Sequence, residues 1–163
     1  MACSTSTYGV SDPPELHQHR LAVAAAFATQ GLVFISLTTR LPDFSDKYDL
    51  SNGELSGLLL MMVLLAGAGS VLAETRAKKE SSAGLLRLGL TGITVGAALI
   101  GASQSLPMFA AAMAVYGVSL GVVDATTNMQ AVALEHRYGR PILPSFHSGW
   151  TFGGLVGAVI ALA

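Results

Sequence analysis

Residues 55–73 read Leu-Ser-Gly-Leu-Leu-Leu-Met-Met-Val-Leu-Leu-Ala-Gly-Ala-Gly-Ser-Val-Leu-Ala, nineteen positions without a charge. As an α-helix rising about 1.5 Å per residue, such a run reaches nearly across a hydrocarbon core about 30 Å thick. Apolar side chains occupy every side of that helix and not one stripe, so a protein core cannot absorb them all and the surplus faces lipid. The run ends abruptly in Glu74-Thr75-Arg76-Ala77-Lys78-Lys79-Glu80, the densest charge cluster of the chain. An apolar span with a charged exit decides the fold class: an all-α, polytopic transmembrane bundle.

The same pattern repeats on both sides. Upstream, Leu21 to Thr39 is another nineteen-residue run without a charge. Between the two lies a polar, acidic loop, Arg40 to Glu54, which ends in Ser51-Asn52-Gly53-Glu54, a turn that leads into a helix N-terminus. Downstream, no charge occurs from Leu88 to Val123, too long for one span, and Gly101-Ala102-Ser103-Gln104-Ser105-Leu106-Pro107 breaks it into two segments joined by a tight hairpin. Glu135-His136-Arg137-Tyr138-Gly139-Arg140-Pro141 then makes a basic loop with two helix breakers. The predicted spans are residues 21–39, 55–73, 84–102, 107–134 and 145–163, after a polar tail over residues 1–20. The last run is still apolar at Ala163, with no charge or aromatic belt to close it, and reads as part of a longer protein or a shortened chain.

Composition agrees with this reading. Of 163 residues, 52% are hydrophobic and 12% charged, against about 25% charged in soluble domains. The formal net charge of −1 offers no basic excess for nucleic acid, and the charges gather between the apolar runs. Cys3 is the one cysteine, which excludes disulfides within the chain and cysteine zinc sites. The tail lacks the basic start and apolar centre of a secretory signal. Arg20, Arg76, Lys78, Lys79, Arg87, Arg137 and Arg140 fall on one side of the alternating spans and Arg40 and Lys47 on the other. Because Lys and Arg are retained inside, this bias predicts a cytoplasmic N-terminus in a cell membrane.

Asp124 is the residue that most needs a reason, since a carboxylate inside an apolar span costs about 2.5–3.5 kcal/mol. It either faces a cavity, where it binds solute or exchanges a proton, or lies near enough to the cytoplasmic end to be wet or paired with Arg137. Gly117, Gly121, Asp124 and Asn128 follow at helical spacing and share one face, the glycines admitting a neighbouring helix and the polar pair facing the bundle interior. On the first span, Gln30 and Thr38 share a face; hydroxyls in such helices mostly bond their own backbone, so Gln30 is the preferred contributor to a site. Arg40 suits the outer interface first and, second, an anionic group at the mouth of a cavity. His147, an imidazole at the start of the fifth span, either meets the end of the fourth or is a simple interfacial histidine. Gly149, Gly153 and Gly157 recur every four residues, a helix-packing pattern. Ser148 has no distant histidine within an apolar helix to serve as its base, so hydrolase chemistry is not supported. No phosphate-binding loop or dinucleotide fingerprint occurs, and neither a cofactor nor a metal is expected.

The layout resembles the N-terminal half of a major facilitator superfamily transporter. Ser70-Val71-Leu72-Ala73-Glu74-Thr75-Arg76-Ala77-Lys78-Lys79 is similar to that superfamily's gating-loop pattern, keeping Leu-Ala, an acid at Glu74 and the terminal bases Lys78 and Lys79 but losing both glycines and the first arginine. A narrower likeness is to the fucose-permease-like branch. It rests on Gly121-Val122-Val123-Asp124-Ala125-Thr126-Thr127-Asn128, on Gly139-Arg140 with Phe146-His147-Ser148-Gly149, and on Arg40-Leu41-Pro42-Asp43-Phe44. The resemblance implies a secondary active transporter of a small polar solute, a sugar among the candidates. It implies proton coupling at Asp124, sugar binding by polar residues around the start of the fifth helix, and gating by Glu74, Arg76, Lys78 and Lys79; with the reading of the residues, the expected site is lined by Asn128, Gln30 and His147. An acid that sugar symporters use on the first helix falls near Thr38 and is absent. The implied partners are the lipid bilayer, the solute and a missing C-terminal half. The competing expectation is a non-transporting scaffold, sensor or transporter remnant in which Asp124 and Asn128 form a polar helix contact.

Overall fold

A computed structural model describes residues 14–162; residues 1–13, which include Cys3 and most of the polar tail, and Ala163, the end of the fifth predicted span, lie outside the described residues. The chain forms α1 (Pro14–Thr39), α2 (Leu41–Lys47), α3 (Asn52–Ala77), α4 (Ser82–Ala102), α5 (Leu106–Tyr138) and α6 (Leu143–Leu162). All but α2 are long and apolar enough to cross a membrane. The protein is an all-α, multi-pass bundle with no strand among the described residues.

Helix ends follow local chemistry more closely than charge boundaries do. α1 starts at Pro14, inside the stretch read as a tail, because a proline followed by Glu15 suits a helix N-terminus and nothing up to Arg20 interrupts the helix. The stretch from Arg40 to Glu54 is not a plain loop, since α2 folds within it with Pro42 in its first turn, Asp43 near its start and Lys47 at its end. At Ser51 the side chain accepts from the Glu54 N–H while the Glu54 carboxylate accepts from the Ser51 N–H at 2.9 Å, a capping box that launches α3. α3 continues to Ala77, so Glu74 and Arg76 are helical and only Lys78 and Lys79 belong to the connection. α5 likewise runs through Glu135–Tyr138 and stops at Gly139, whose φ of 61° suits a residue without Cβ. The Glu135 carboxylate turns back to accept the main-chain N–H groups of Ile142 and Leu143, both at 2.8 Å, which fixes the start of α6.

The helices pack as two groups, α1 with α6 and α5 with α3 and α4. In both, glycines let the backbones touch. A Cβ on Gly121 would overlap the Ala66 carbonyl oxygen and one on Gly117 would crowd that of Met62; on α6, Gly153 and Gly157 meet the carbonyls of Ala28 and Leu32 in the same way. Gly149 approaches Ala24 only at ordinary van der Waals distance. Gly69 against Val118 and Gly31 against Trp150 complete the two interfaces from the other side. A serine clasps each pair: Ser70 Oγ donates to the Gly121 carbonyl and Ser36 Oγ to that of Gly157, both at 3.1 Å. Without a hydrophobic drive between helices in lipid, close packing of this kind and interhelical hydrogen bonds supply the association.

Tyr116, Met113, Phe109, Ile93 and Ile100 fill the core between α4 and α5, and Phe27 and Phe146 stack at 5.8 Å between α1 and α6. Leu64, Val71 and Leu88 stay exposed, as suits helices whose surroundings are hydrocarbon. At the α2 end, Lys47 Nζ and Tyr48 Oη both donate to the Ser103 carbonyl, at 2.6 and 2.8 Å, tying α2 to the α4–α5 hairpin. Ser103 is fully buried there.

Candidate functional site

Asp124 lies midway along α5, on the turn after Gly121, where the glycine contact has brought α3 close and left the carboxylate clear of it. Its side chain is exposed to two cavities that meet at this residue. The first, about 610 Å³, is lined by Gln30 and Phe34 of α1, Ser70 of α3, Asp124 of α5, and His147 and Trp150 of α6. The second, about 660 Å³, runs from Asp124 and Asn128 to Glu74 and His136.

Gln30 is buried on α1, and its Nε2 donates to Asp124 Oδ1 at 3.3 Å, joining the two helix groups. Its Oε1 is buried without a partner. Asp124 forms no ion pair among the described residues; Arg137 instead meets His19 Nδ1 at 3.3 Å, and thirteen residues of helix put it roughly 20 Å along the axis from Asp124. The alternative of an Asp124–Arg137 pair is therefore not what this structure forms.

Of the residues singled out from sequence, Gln30, Asp124 and His147 come together in one cavity. The His147 ring sets its edge against Phe27, with centroids 5.3 Å apart. Asn128 lines the adjoining cavity, and its Nδ2 donates to the Asp124 main-chain oxygen at 2.8 Å. Glu74 shares that second cavity, while Arg76 pairs with Glu80 at 3.5 Å on the surface. Thr38 turns its hydroxyl to the carbonyls of Phe34 and Ile35, away from any site. Arg40 stands 3.9 Å from Asp43 on the exposed end of α1. Ser148 donates to the Pro144 carbonyl.

Sequence reasoning missed the aromatic wall. Phe34 of α1 and Trp150 of α6 pack against each other, with centroids 6.2 Å apart, and together line one side of the first cavity. The signal was available: Phe34 is four residues after Gln30 and Trp150 three after His147, so each shares a helix face with a nominated residue. Ser70, a residue of the gating-loop pattern, also lines both cavities.

No protein-family model matches the chain, and no solved structure matches it. An uncharacterized transporter of Sinorhizobium fredii is 26% identical over 83% of this chain and 36% of its own length. An uncharacterized MFS-type transporter of Yersinia pestis is 29% identical over 95% of this chain and 40% of its own. The membrane protein MosC of Rhizobium meliloti is 30% identical over 85% of this chain and 34% of its own. The chain thus spans well under half the length of these relatives. Five membrane-length helices, four of which line the cavity at Asp124, together with these similarities, make the chain a multi-pass membrane protein related to the transporters of the major facilitator superfamily.

Proposed function

We propose that this chain is part of a secondary active transporter of the fucose-permease-like branch, which moves a small polar solute, a sugar in the first instance, together with protons. The observation that carries the reading is a carboxylate, Asp124, inside a membrane helix, bonded to a neutral amide and free of any cation among the described residues. A structural carboxylate in a span is ordinarily paired, whereas one left open to a cavity marks a solute or proton path. Gln30, Asn128 and His147 supply hydrogen-bonding groups around it, and Trp150 and Phe34 offer apolar faces to the C–H side of a sugar ring.

In this reading the N-terminus is cytoplasmic, in the cell membrane, since Arg76, Lys78, Lys79, Arg137 and Arg140 all gather at one end of the bundle. Glu74, which lines the cavity below Asp124, then acts with Arg76 at the inner end of α3 and with Lys78 and Lys79 in the connection after it to gate that cavity. A second bundle encloses the solute from the opposite side and allows alternating access.

The test is uptake of a panel of labelled sugars and other small polar solutes by cells expressing the whole reading frame that carries these residues. Accumulation of one solute that is lost in Asp124→Asn supports the proposal; no accumulation of any solute above that in cells lacking the protein refutes it.

A further inference from the structure

Gln30 is 5% exposed, its Nε2 is spent on Asp124 Oδ1, and its Oε1 has no donor within reach. A buried acceptor with no donor is costly, and Gln30 therefore lacks one proton-bearing partner. An ionised carboxylate accepts only, so Asp124 in that state cannot supply it. None of the other groups around the carboxylate donates to Gln30 Oε1. Ser70 on α3 donates to Gly121, Asn128 on α5 donates to the Asp124 main chain, and His147 on α6 packs against Phe27. Glu74 and His136 line the second cavity, which Asp124 also lines, and Arg87 on α4 lines a separate groove between α1, α4 and α5.

A neutral carboxylic acid changes the inventory. It places an O–H beside its carbonyl just as a primary amide places an N–H beside its own, and the two planar groups pair through two hydrogen bonds at once. We propose that the proton taken up by Asp124 is held between Asp124 and Gln30 as such an acid–amide pair, which makes Gln30 a positioning residue for the coupling proton. Hydronium gives its proton to Asp124 Oδ2 and leaves as water; the new O–H donates to Gln30 Oε1 while Nε2 keeps its bond to Oδ1. The buried acceptor is satisfied and Asp124 becomes neutral. Because Gln30 belongs to the α1–α6 group and Asp124 to the α3–α4–α5 group, proton binding doubles the polar link between them and proton release returns it to one long bond.

The inference rests on the reading of Asp124 as proton-responsive, and one experiment separates the two. Purified protein in lipid vesicles, grown with glutamine labelled at the side-chain carbonyl carbon, is examined by infrared difference spectroscopy between acid and neutral pH. The expected result is a carboxylic-acid band that vanishes in Asp124→Asn, accompanied by a glutamine carbonyl band that moves to lower frequency on acidification. That glutamine band is expected to be lost in both Asp124→Asn and Gln30→Leu. In Gln30→Leu the acid band is expected to rise toward that of a free acid. An Asp124 acid band with no glutamine partner overturns the pair and leaves Asp124 as the proton site. Absence of any Asp124 acid band overturns both. The unsubstituted protein decides the matter alone should Gln30→Leu fail to fold.

Discussion

Gly121 of α5 rests on the main-chain carbonyl of Ala66 of α3, with room between them for a hydrogen atom and no methyl group. The contact sets the distance between the two helices and, one turn later, leaves Asp124 facing the cavity and not α3.

Replacing Gly121 with valine forces the helices apart. Overpacking of this kind costs about 1–3 kcal/mol, at the upper end where backbone must move. Thermal unfolding in detergent is expected to show a clear loss for Gly121→Val and for Gly153→Val, which meets the Ala28 carbonyl. Gly149→Ala is expected to be near neutral, because its Cβ would lie 3.5 Å from the Ala24 oxygen. Equal losses at Gly121 and Gly149 would contradict this packing.

Glu135 governs the turn into α6. Glu135→Ala strips two main-chain N–H groups of a charged acceptor, each bond of that type contributing about 1.5–3 kcal/mol. Hydrogen exchange is expected to quicken at Ile142 and Leu143 while α3 stays protected. Unchanged exchange at those two amides would show that the carboxylate does not cap α6.

The α2 clasp predicts a smaller effect. Tyr48→Phe keeps the ring packed on Phe109, at 5.1 Å between centroids, and removes the hydroxyl bond to Ser103. A loss of about 0.5–1.5 kcal/mol is expected on thermal unfolding, with faster proteolysis of the α4–α5 hairpin. Lys47→Met is expected to add to it, since both side chains serve one carbonyl.

Much of the fold was legible because lipid imposes simple demands. Runs without charge gave the five long helices, and Ser51 with Glu54 announced the start of α3. Helix ends were less legible because charge marks where the membrane stops, whereas a helix stops at a breaker: α5 passes through Glu135–Tyr138 and yields only at Gly139. The short α2 was hidden for the same reason, since its polar residues read as loop although its proline suits a first turn. At the site, Asp124 stood out by cost and Gln30 by polarity. Phe34 and Trp150 did not, because an aromatic residue in an apolar run is unremarkable until its helix face is known. That Gln30 and Asp124 bond each other depends on the rotation of α1 against α5, which periodicity within either helix does not contain.

The central claim is that Asp124 carries the coupling proton. It is tested most directly by comparing, in vesicles holding the whole reading frame and loaded with a transported solute, exchange at equal pH with accumulation driven by an inward proton gradient. Exchange requires no net proton movement, so Asp124→Asn is expected to retain exchange and to lose gradient-driven accumulation together with the proton uptake that accompanies it. Accumulation by Asp124→Asn equal to that of the unsubstituted protein, with the same proton uptake, would contradict the account.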